Sequence, residues 1–183
     1  MALANRLFFR LYQCANLLHK TGSRAVESRG LTTQQWAVLG ALSRPAAAGA
    51  MSVGDLARYL MVSRQNLSGV ISRLERDGHI ASVQGPLDRR VRLVTMTASG
   101  RKFWQTQALP RIHDYYERAL ADLSVSDITH ALHYLLKLLE NMSRLDEAGA
   151  IEQTSDEAAA RLPRQPGDRP RRVPAPAGPT EAG

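Results

Sequence analysis

Apolar residues recur at helical spacing along most of the first 147 residues, and this pattern predicts a mainly α-helical domain. The first helix is expected to run to about Ser28 and to carry five residues on one apolar face: Leu3, Leu7, Leu11, Cys14 and Leu18. A second helix is expected to begin after Thr32, because Gln35 completes a capping box with that residue. The segment from Pro45 to Ala50 is then expected to be a loop.

Two helices separated by a short turn are predicted next. Ser52 is expected to cap the third helix and Ser63 the fourth, which ends at Gly78. Four apolar residues of the fourth helix are expected to be buried: Leu67, Val70, Ile71 and Leu74. Because polar residues occupy the opposite side, this helix has one face for a core and one face for a ligand.

After Gly78 the pattern becomes typical of strands. Residues Ile80–Gln84 and Val91–Met96 are rich in β-branched side chains, and Gly85 and Pro86 between them favour a turn. The sequence therefore predicts a small β-hairpin attached to the helical domain.

Two more helices are predicted at about Ala98–Ala121 and Val125–Arg144. The last one carries a stripe that is typical of a helix–helix contact: Ile128, Leu132, Leu135, Leu136, Leu139 and Met142. Residues 148–183 hold six of the nine prolines and no aromatic residue, which predicts a disordered tail rich in proline, alanine and arginine.

Composition then excludes several classes of protein. The single cysteine, Cys14, excludes an internal disulfide framework and favours a reducing, cytoplasmic location. No apolar run approaches the ~20 residues that cross a bilayer, so no membrane partner is expected. The sequence has no phosphate-binding loop, nucleophile motif or pair of carboxylates in a glycine-rich setting, so neither an enzyme nor a cofactor is expected.

The positive charge is concentrated in the middle of the chain. The formal net charge is +7, and Ser52–Lys102 contains nine basic and four acidic residues. A local basic field of this kind favours a polyanionic partner, and a nucleic acid is a better candidate than a membrane.

The predicted order of helices followed by a hairpin is that of a winged helix-turn-helix. The polar face of the fourth helix includes Arg64 and Gln65, which can form paired hydrogen bonds to base edges in the ~12 Å wide major groove. Three arginines, Arg89, Arg90 and Arg92, lie at or near the hairpin tip, where their mutual repulsion is best explained by a bound anion. Asp88 is expected to orient one of these guanidinium groups through a bidentate pair.

These residues carry a resemblance to the MarR family of regulators. The stretch DRRVRLVTMT, Asp88–Thr97, resembles the family's wing signature with Met96 as its single change. LTTQQWAVLGAL resembles the second helix of the family, and MSVGDLARYLMVSRQNLSGVISRLERDGHI resembles its helix-turn-helix. The resemblance covers about residues 5–145 and departs from the family's pattern at Gly69 and Ser72.

The resemblance implies a domain over residues 1–147, with a DNA-binding lobe at about 32–97 and dimerisation helices at about 3–29 and 98–145. It implies a homodimer that binds a pseudo-palindromic double-stranded DNA operator, with Arg90 in the minor groove. The residues expected to contact DNA are Ser63, Arg64, Gln65, Asn66, Ser68, Ser72, Arg73, Asp88, Arg89, Arg90 and Arg92.

The resemblance further implies a repressor that a small ligand releases from its operator. RLYQCANLLHKTG and RGLTTQQWAVLGALSRP are similar to regulators of aromatic-compound degradation, so the expected effector is an aromatic acid or its coenzyme A thioester. Aromatic faces with a few polar groups suit such a ligand. The expected lining residues are Tyr12, Asn16, His19, Arg24, Trp36, Trp104, His113 and Tyr116, with core packing as the alternative role above all for Trp36.

Two other kinds of DNA-binding protein remain as alternatives to a ligand-released regulator. Some members of the family sense peroxides through an N-terminal cysteine, but Cys14 lies on the apolar stripe, where burial would make it a structural thiol. An architectural DNA-binding protein would share the basic wing and lack the effector.

Asp127, His130 and His133 spread over about a third of a helix circumference, so no metal site is expected.

Overall fold

The computed structural model describes residues 2–45, 49–85, 88 and 90–161, and of residues 149–161 it describes only the helical backbone. The elements in chain order are α1 (Ala2–Glu27), α2 (Thr33–Leu42), β1 (Ala50–Ser52), α3 (Val53–Leu60), α4 (Arg64–Arg76), β2 (Ile80–Gln84), β3 (Arg92–Met96), α5 (Ala98–Phe103), a π-helical segment (Trp104–Ala108), α6 (Leu109–Ala119) and α7 (Val125–Arg161). These elements form two compact units that divide between Asp122 and Leu123. The mainly helical winged fold is therefore confirmed.

The helix caps follow the predictions from sequence. The Thr32 hydroxyl accepts the backbone N–H of Gln35, and the Gln35 side chain accepts the N–H of Thr32. Ser52 and Ser63 cap α3 and α4 through backbone N–H groups three residues ahead. Gly78 follows α4 with a φ of +74°, a left-handed conformation that favours glycine.

One core joins the helices of the winged lobe to its sheet. Fully buried side chains come from α1, α2, α3, α4, β3 and α6, and the largest are Leu39, Leu56, Leu67, Ile71, Leu74, Ile112, Val26, Val38 and Val94. All four residues predicted to form the inner face of α4 belong to this core. The lobe therefore fixes the direction in which the outer face of α4 points.

The wing has three strands and not the two that the sequence predicted. The sheet order is β1-β3-β2, all antiparallel, with Met51 opposite Val94 and Gln84 opposite Arg92. Residue 50, predicted to end a loop, is instead the first residue of β1. A strand of three residues is too short to show alternation in sequence, and it forms because β3 supplies its hydrogen-bond partners.

The helix predicted from Ala98 to Ala121 is interrupted by the π-helical segment. Pro110 has no N–H to donate to the carbonyl four residues earlier, and Leu109 donates to Trp104, five residues back. Trp104 is buried and packs near Gly40 of α2.

Helix α7 is longer than predicted and continues to Arg161. The helix thus includes residues 148–161, which the sequence assigned to the tail. All six prolines of the tail lie at or beyond Pro163, whereas the preceding residues are rich in alanine and glutamate, which favour helix. Residues 162–183, the rest of the predicted tail, lie outside the described residues.

Candidate nucleic-acid interface

Helix α4 presents the polar face that the sequence predicted. Its predicted contact residues are all exposed: Ser63, Arg64, Gln65, Asn66, Ser68, Ser72 and Arg73. Gly69 lies on the same face, and a Cβ atom added there would have no neighbour within 4 Å. This face is therefore open along the length of the helix.

The turn between α3 and α4 sets where α4 begins. Met61 adopts a φ of 52°, a left-handed conformation that is uncommon for a residue with a side chain, and its N–H bonds to Arg58. Ser63 then accepts the N–H of Asn66 at 3.2 Å, which starts α4. The hydroxyl of Ser63 thus caps the helix and keeps its own proton available to a phosphate.

Arg64 lies against the first turn of α3. A Cβ atom on Gly54 would be 3.2 Å from Nη2 of Arg64, so the missing side chain of Gly54 leaves room for the guanidinium. Gly54 was not among the functional residues found in the sequence, because its role depends on the approach of two helices.

Arg92 connects the wing to α4. Its Nη2 donates to both carboxylate oxygens of Glu75, each at 2.7 Å. The Ser82 side chain beside this carboxyl most strongly lowers the pKa of Glu75, burial opposes the shift, and Arg92 lowers the pKa further. Arg92, predicted to contact DNA, therefore holds β3 against α4, and its partner Glu75 was not identified from sequence.

The wing turn is organised by backbone hydrogen bonds. Gly85 donates to the carbonyl of Val91 at 2.7 Å, and a Cβ atom on Gly85 would lie only 2.8 Å from the Asp88 carbonyl oxygen. Oδ1 of Asp88 accepts the backbone N–H of Arg90 at 2.9 Å. The expectation that Asp88 pairs with a guanidinium is thus not met among the described residues, since this carboxylate organises the turn itself. Pro86, Leu87 and Arg89 lie outside the described residues.

Six arginines on α3, α4 and the wing divide into two groups. Arg58, Arg76 and Arg92 form ion pairs with Asp55, Asp77 and Glu75. Among the described residues, no ion pair involves Arg64, Arg73 or Arg90, and all three are exposed. These three unpaired charges lie on α4 and at the wing tip, where a DNA backbone would supply the counter-charge.

Some of the predicted effector residues form an aromatic cluster. The Trp36 ring lies 5.8 Å from that of Tyr115 and 5.6 Å from that of Tyr116, and His113 lies 6.4 Å from Tyr116. Burial raises the pKa of Tyr116, against an opposing hydrogen-bonding contribution from Trp36. Trp36 is itself buried, as the core-packing alternative expected.

The other predicted effector residues are not in this cluster. Tyr12, Asn16 and His19 have exposed side chains on α1, and the His19 carbonyl accepts the hydroxyl of Thr33. Trp104 lines a separate cavity of about 290 Å³ with Arg44 and Arg101. Arg24 lines a groove between α1 and α6. Tyr115, which joins the cluster to that groove, was missed because the neighbouring Tyr116 fitted the pattern equally well.

Cys14 is exposed in the single chain, so the prediction that it is buried is wrong for the chain alone. Its face of α1 also exposes Leu7 and Leu18. The helical period was right, but it could not show whether the same chain covers that face.

No group of three or more His, Cys, Asp or Glu residues that could hold a metal ion occurs among the described residues. In the same part of the chain, no helix is long and apolar enough to span a membrane.

Comparisons with known proteins agree with this geometry. A sequence profile of the MarR family matches residues 29–91. The chain is 70% identical over 152 residues to the transcriptional activatory protein BadR of Rhodopseudomonas palustris, an alignment that covers 83% of this chain and 87% of that protein. It is 27% identical over 110 residues to the homoprotocatechuate degradative operon repressor of Escherichia coli, covering 60% of this chain and 72% of that protein.

A solved structure shows the same fold. It is that of an organohalide-sensing transcriptional regulator with 2,4-dichlorophenol bound, with a TM-score of 0.66 and 21% sequence identity over 76% of this chain and 80% of that one. The arrangement of α3, α4 and the wing is therefore that of known transcriptional regulators.

Proposed function

The chain belongs to the MarR family of DNA-binding transcriptional regulators, which are not enzymes. We propose that it acts as a homodimer, and that an aromatic acid or its coenzyme A thioester releases this homodimer from its operator. The observation that carries the DNA part of this proposal is the exposed outer face of α4: Arg64 and Arg73 on this helix, and Arg90 at the wing tip, form no ion pair with any residue whose side chain the structure describes. Gln65 is the residue on this face best suited to read a base, because its amide donates and accepts at once.

The dimer is supported by exposed apolar side chains on the two outer helices. On α1 these include Leu3 and Phe9, and on α7 they include Leu132, Leu136 and Leu145. Two chains related by a two-fold axis would present two α4 helices about one DNA turn, ~34 Å, apart. The operator is accordingly expected to be pseudo-palindromic.

The effector class is supported by the aromatic cluster of Trp36, Tyr115 and Tyr116. Aromatic rings prefer edge or offset contacts with other rings, and Tyr116 is partly exposed beside the buried Trp36. The relative from Escherichia coli is named as the repressor of the homoprotocatechuate degradative operon. The effector would act by binding more tightly to the dimer conformation in which the spacing of the two α4 helices does not fit the operator. A preference of ~3 kcal/mol for that conformation would lower operator affinity more than a hundredfold.

The test starts by selecting the operator from genomic DNA fragments with the purified protein. A panel of aromatic acids, their coenzyme A thioesters and organic peroxides is then added to the complex, with wild type and Cys14→Ser in parallel. Release by an acid or thioester in both proteins is the expected result. Release by peroxide alone, lost in Cys14→Ser, would establish the redox alternative, and release by nothing would favour a ligand-independent DNA-binding protein.

A second candidate is activation instead of repression, favoured by the name of the 70% identical BadR, a transcriptional activatory protein. In vitro transcription from the selected promoter distinguishes the two. A repressor lowers transcript yield until effector is added, whereas an activator raises it from the bound operator.

A further inference from the structure

A groove of about 410 Å³ lies between α1 and α6, outside the helix-turn-helix and the wing. Its walls come from two sets of positions with the same spacing, i, i+3, i+4 and i+7, which start at Thr21 on α1 and at Arg111 on α6. The last position of the first set, Ser28, directly follows the end of α1. This spacing places each set on one helical face. The volume falls within the usual range for small-molecule sites, roughly 300–1,000 Å³.

The groove carries an excess of positive charge. Arg24, Arg111 and Arg118 line it together with a single acidic residue, Asp114. Asp114 pairs with Arg118 at 3.1 Å. Among the described residues, Arg24 and Arg111 form no ion pair, so two uncompensated guanidinium groups remain, one on each wall.

The groove continues to the aromatic cluster through one residue. The Thr21 hydroxyl donates to the carbonyl of Leu17 at 2.6 Å, so the Tyr115 hydroxyl, 3.0 Å away, is the donor to Thr21. This bond fixes the Tyr115 ring, which also contacts Trp36 at a centroid distance of 5.8 Å. A ligand could therefore place a ring beside the aromatic cluster and an anionic group between the arginines.

The charge distinguishes between classes of anion. One carboxylate occupies one guanidinium fork, whereas phosphate oxygens can be shared by guanidinium groups from two walls. Two unpaired arginines on opposite helices, with a third nearby, thus fit a group of higher charge than a single carboxylate.

We propose that this groove binds the phosphate groups of a nucleotide-bearing effector, and therefore that the thioester is the preferred effector over the free aromatic acid. This proposal rests on the effector-controlled function given above. Arg24 and Arg111 bind the phosphates, Tyr115 lines the groove, and the acyl ring binds at the aromatic cluster.

Calorimetric titration of the full-length protein tests the proposal. The probes are benzoate, benzoyl-coenzyme A and adenosine 3′,5′-bisphosphate, the nucleotide part of coenzyme A. Arg24→Gln and Arg111→Gln are compared with wild type and with Arg29→Gln, which removes the same charge just past α1 without lining the groove. Thermal melting checks that each variant is folded.

The expected result is that each groove variant weakens binding of the thioester and of the bisphosphate about tenfold, while binding of benzoate changes less than twofold. Arg29→Gln should bind like wild type. Equal losses of binding for all three probes, or no loss for any of them, would overturn the proposal. It would also be overturned if the groove variants lost affinity for the operator in the absence of effector, because the groove would then contact DNA. If no compound releases the operator but the bisphosphate still binds and is lost in Arg111→Gln, the proposed function fails while the phosphate site is supported.

Discussion

The winged lobe and the two outer helices use their apolar residues in opposite ways. In the lobe, Leu39, Leu56 and Leu74 are each 0% exposed. On α1, Leu3 is 78% exposed, and on α7, Leu145 is 73% exposed. Each of these two helices by itself exposes several large apolar side chains, which is typical of an interaction site. The lobe is thus complete within one chain, whereas the outer helices need a partner, which we propose is a second copy.

The largest expected effect comes from α7. Leu136→Asp places a charge on its exposed apolar stripe and should convert the dimer to a monomer, measured by analytical ultracentrifugation. Operator affinity should fall roughly 10²–10⁴-fold, because the α4 helices of two chains no longer bind the operator as parts of one molecule. Lys137→Ala, one residue away, is the control and should remain dimeric. A Leu136→Asp protein that still sediments as a dimer would show that this stripe is not the contact between the two chains.

The wing is expected to give a smaller effect that leaves the dimer intact. Arg90→Ala should weaken binding to operator and random DNA alike, roughly three- to tenfold, and should reduce the slope of log affinity against log salt by about one. Arg58→Ala removes an arginine that is already paired with Asp55 and should change the slope less. Equal slopes for wild type and Arg90→Ala in fluorescence-anisotropy titrations would remove the wing tip from the interface.

Gly69 distinguishes stability from DNA binding within the lobe. Gly69→Ala should raise the free energy of unfolding by about 1 kcal/mol, since alanine favours helix and the added Cβ meets nothing in the chain. The same Cβ would stand between α4 and the DNA, so operator affinity should fall. Chemical denaturation and operator titration of one variant measure both effects. Higher stability with unchanged affinity would mean that the DNA does not approach the helix at this position.

The smallest expected effect is a pH dependence of lobe stability at His79. Its ring stacks on Phe103 at 4.1 Å, and burial lowers its pKa below the ordinary 6.5, against a smaller opposing effect of Asp77. The unfolded chain therefore binds a proton more readily, and stability should fall as pH drops below about 6.5. Melting curves at several pH values should show a weaker dependence in His79→Gln. Identical pH profiles in the two proteins would exclude His79 as the source.

Local signals explain why so much of the lobe could be predicted. Ser63 as a cap, Leu67 and Leu74 as core residues and Gly78 as the end of α4 each depend on neighbours within a few positions. The capping preference, the helical period and the positive φ of glycine are properties of short segments.

Features that depend on distant parts of the chain were missed. The pairing of Met51 with Val94, the ion pair of Arg92 with Glu75 and the space that Gly54 leaves for Arg64 all join residues far apart in sequence. The burial predicted for Cys14 failed for a related reason, because an apolar stripe does not indicate which chain covers it. The effector residues were only partly grouped, since their clustering is set by the crossing of α1, α2 and α6.

We propose that two chains, each with a complete lobe, bind one DNA duplex together. Sedimentation equilibrium of the protein with a fluorescently labelled duplex that carries the selected operator measures how many chains bind. We expect two chains per duplex for wild type and only weak binding of single chains for Leu136→Asp. One chain per duplex at wild-type affinity, unchanged by Leu136→Asp, would contradict it.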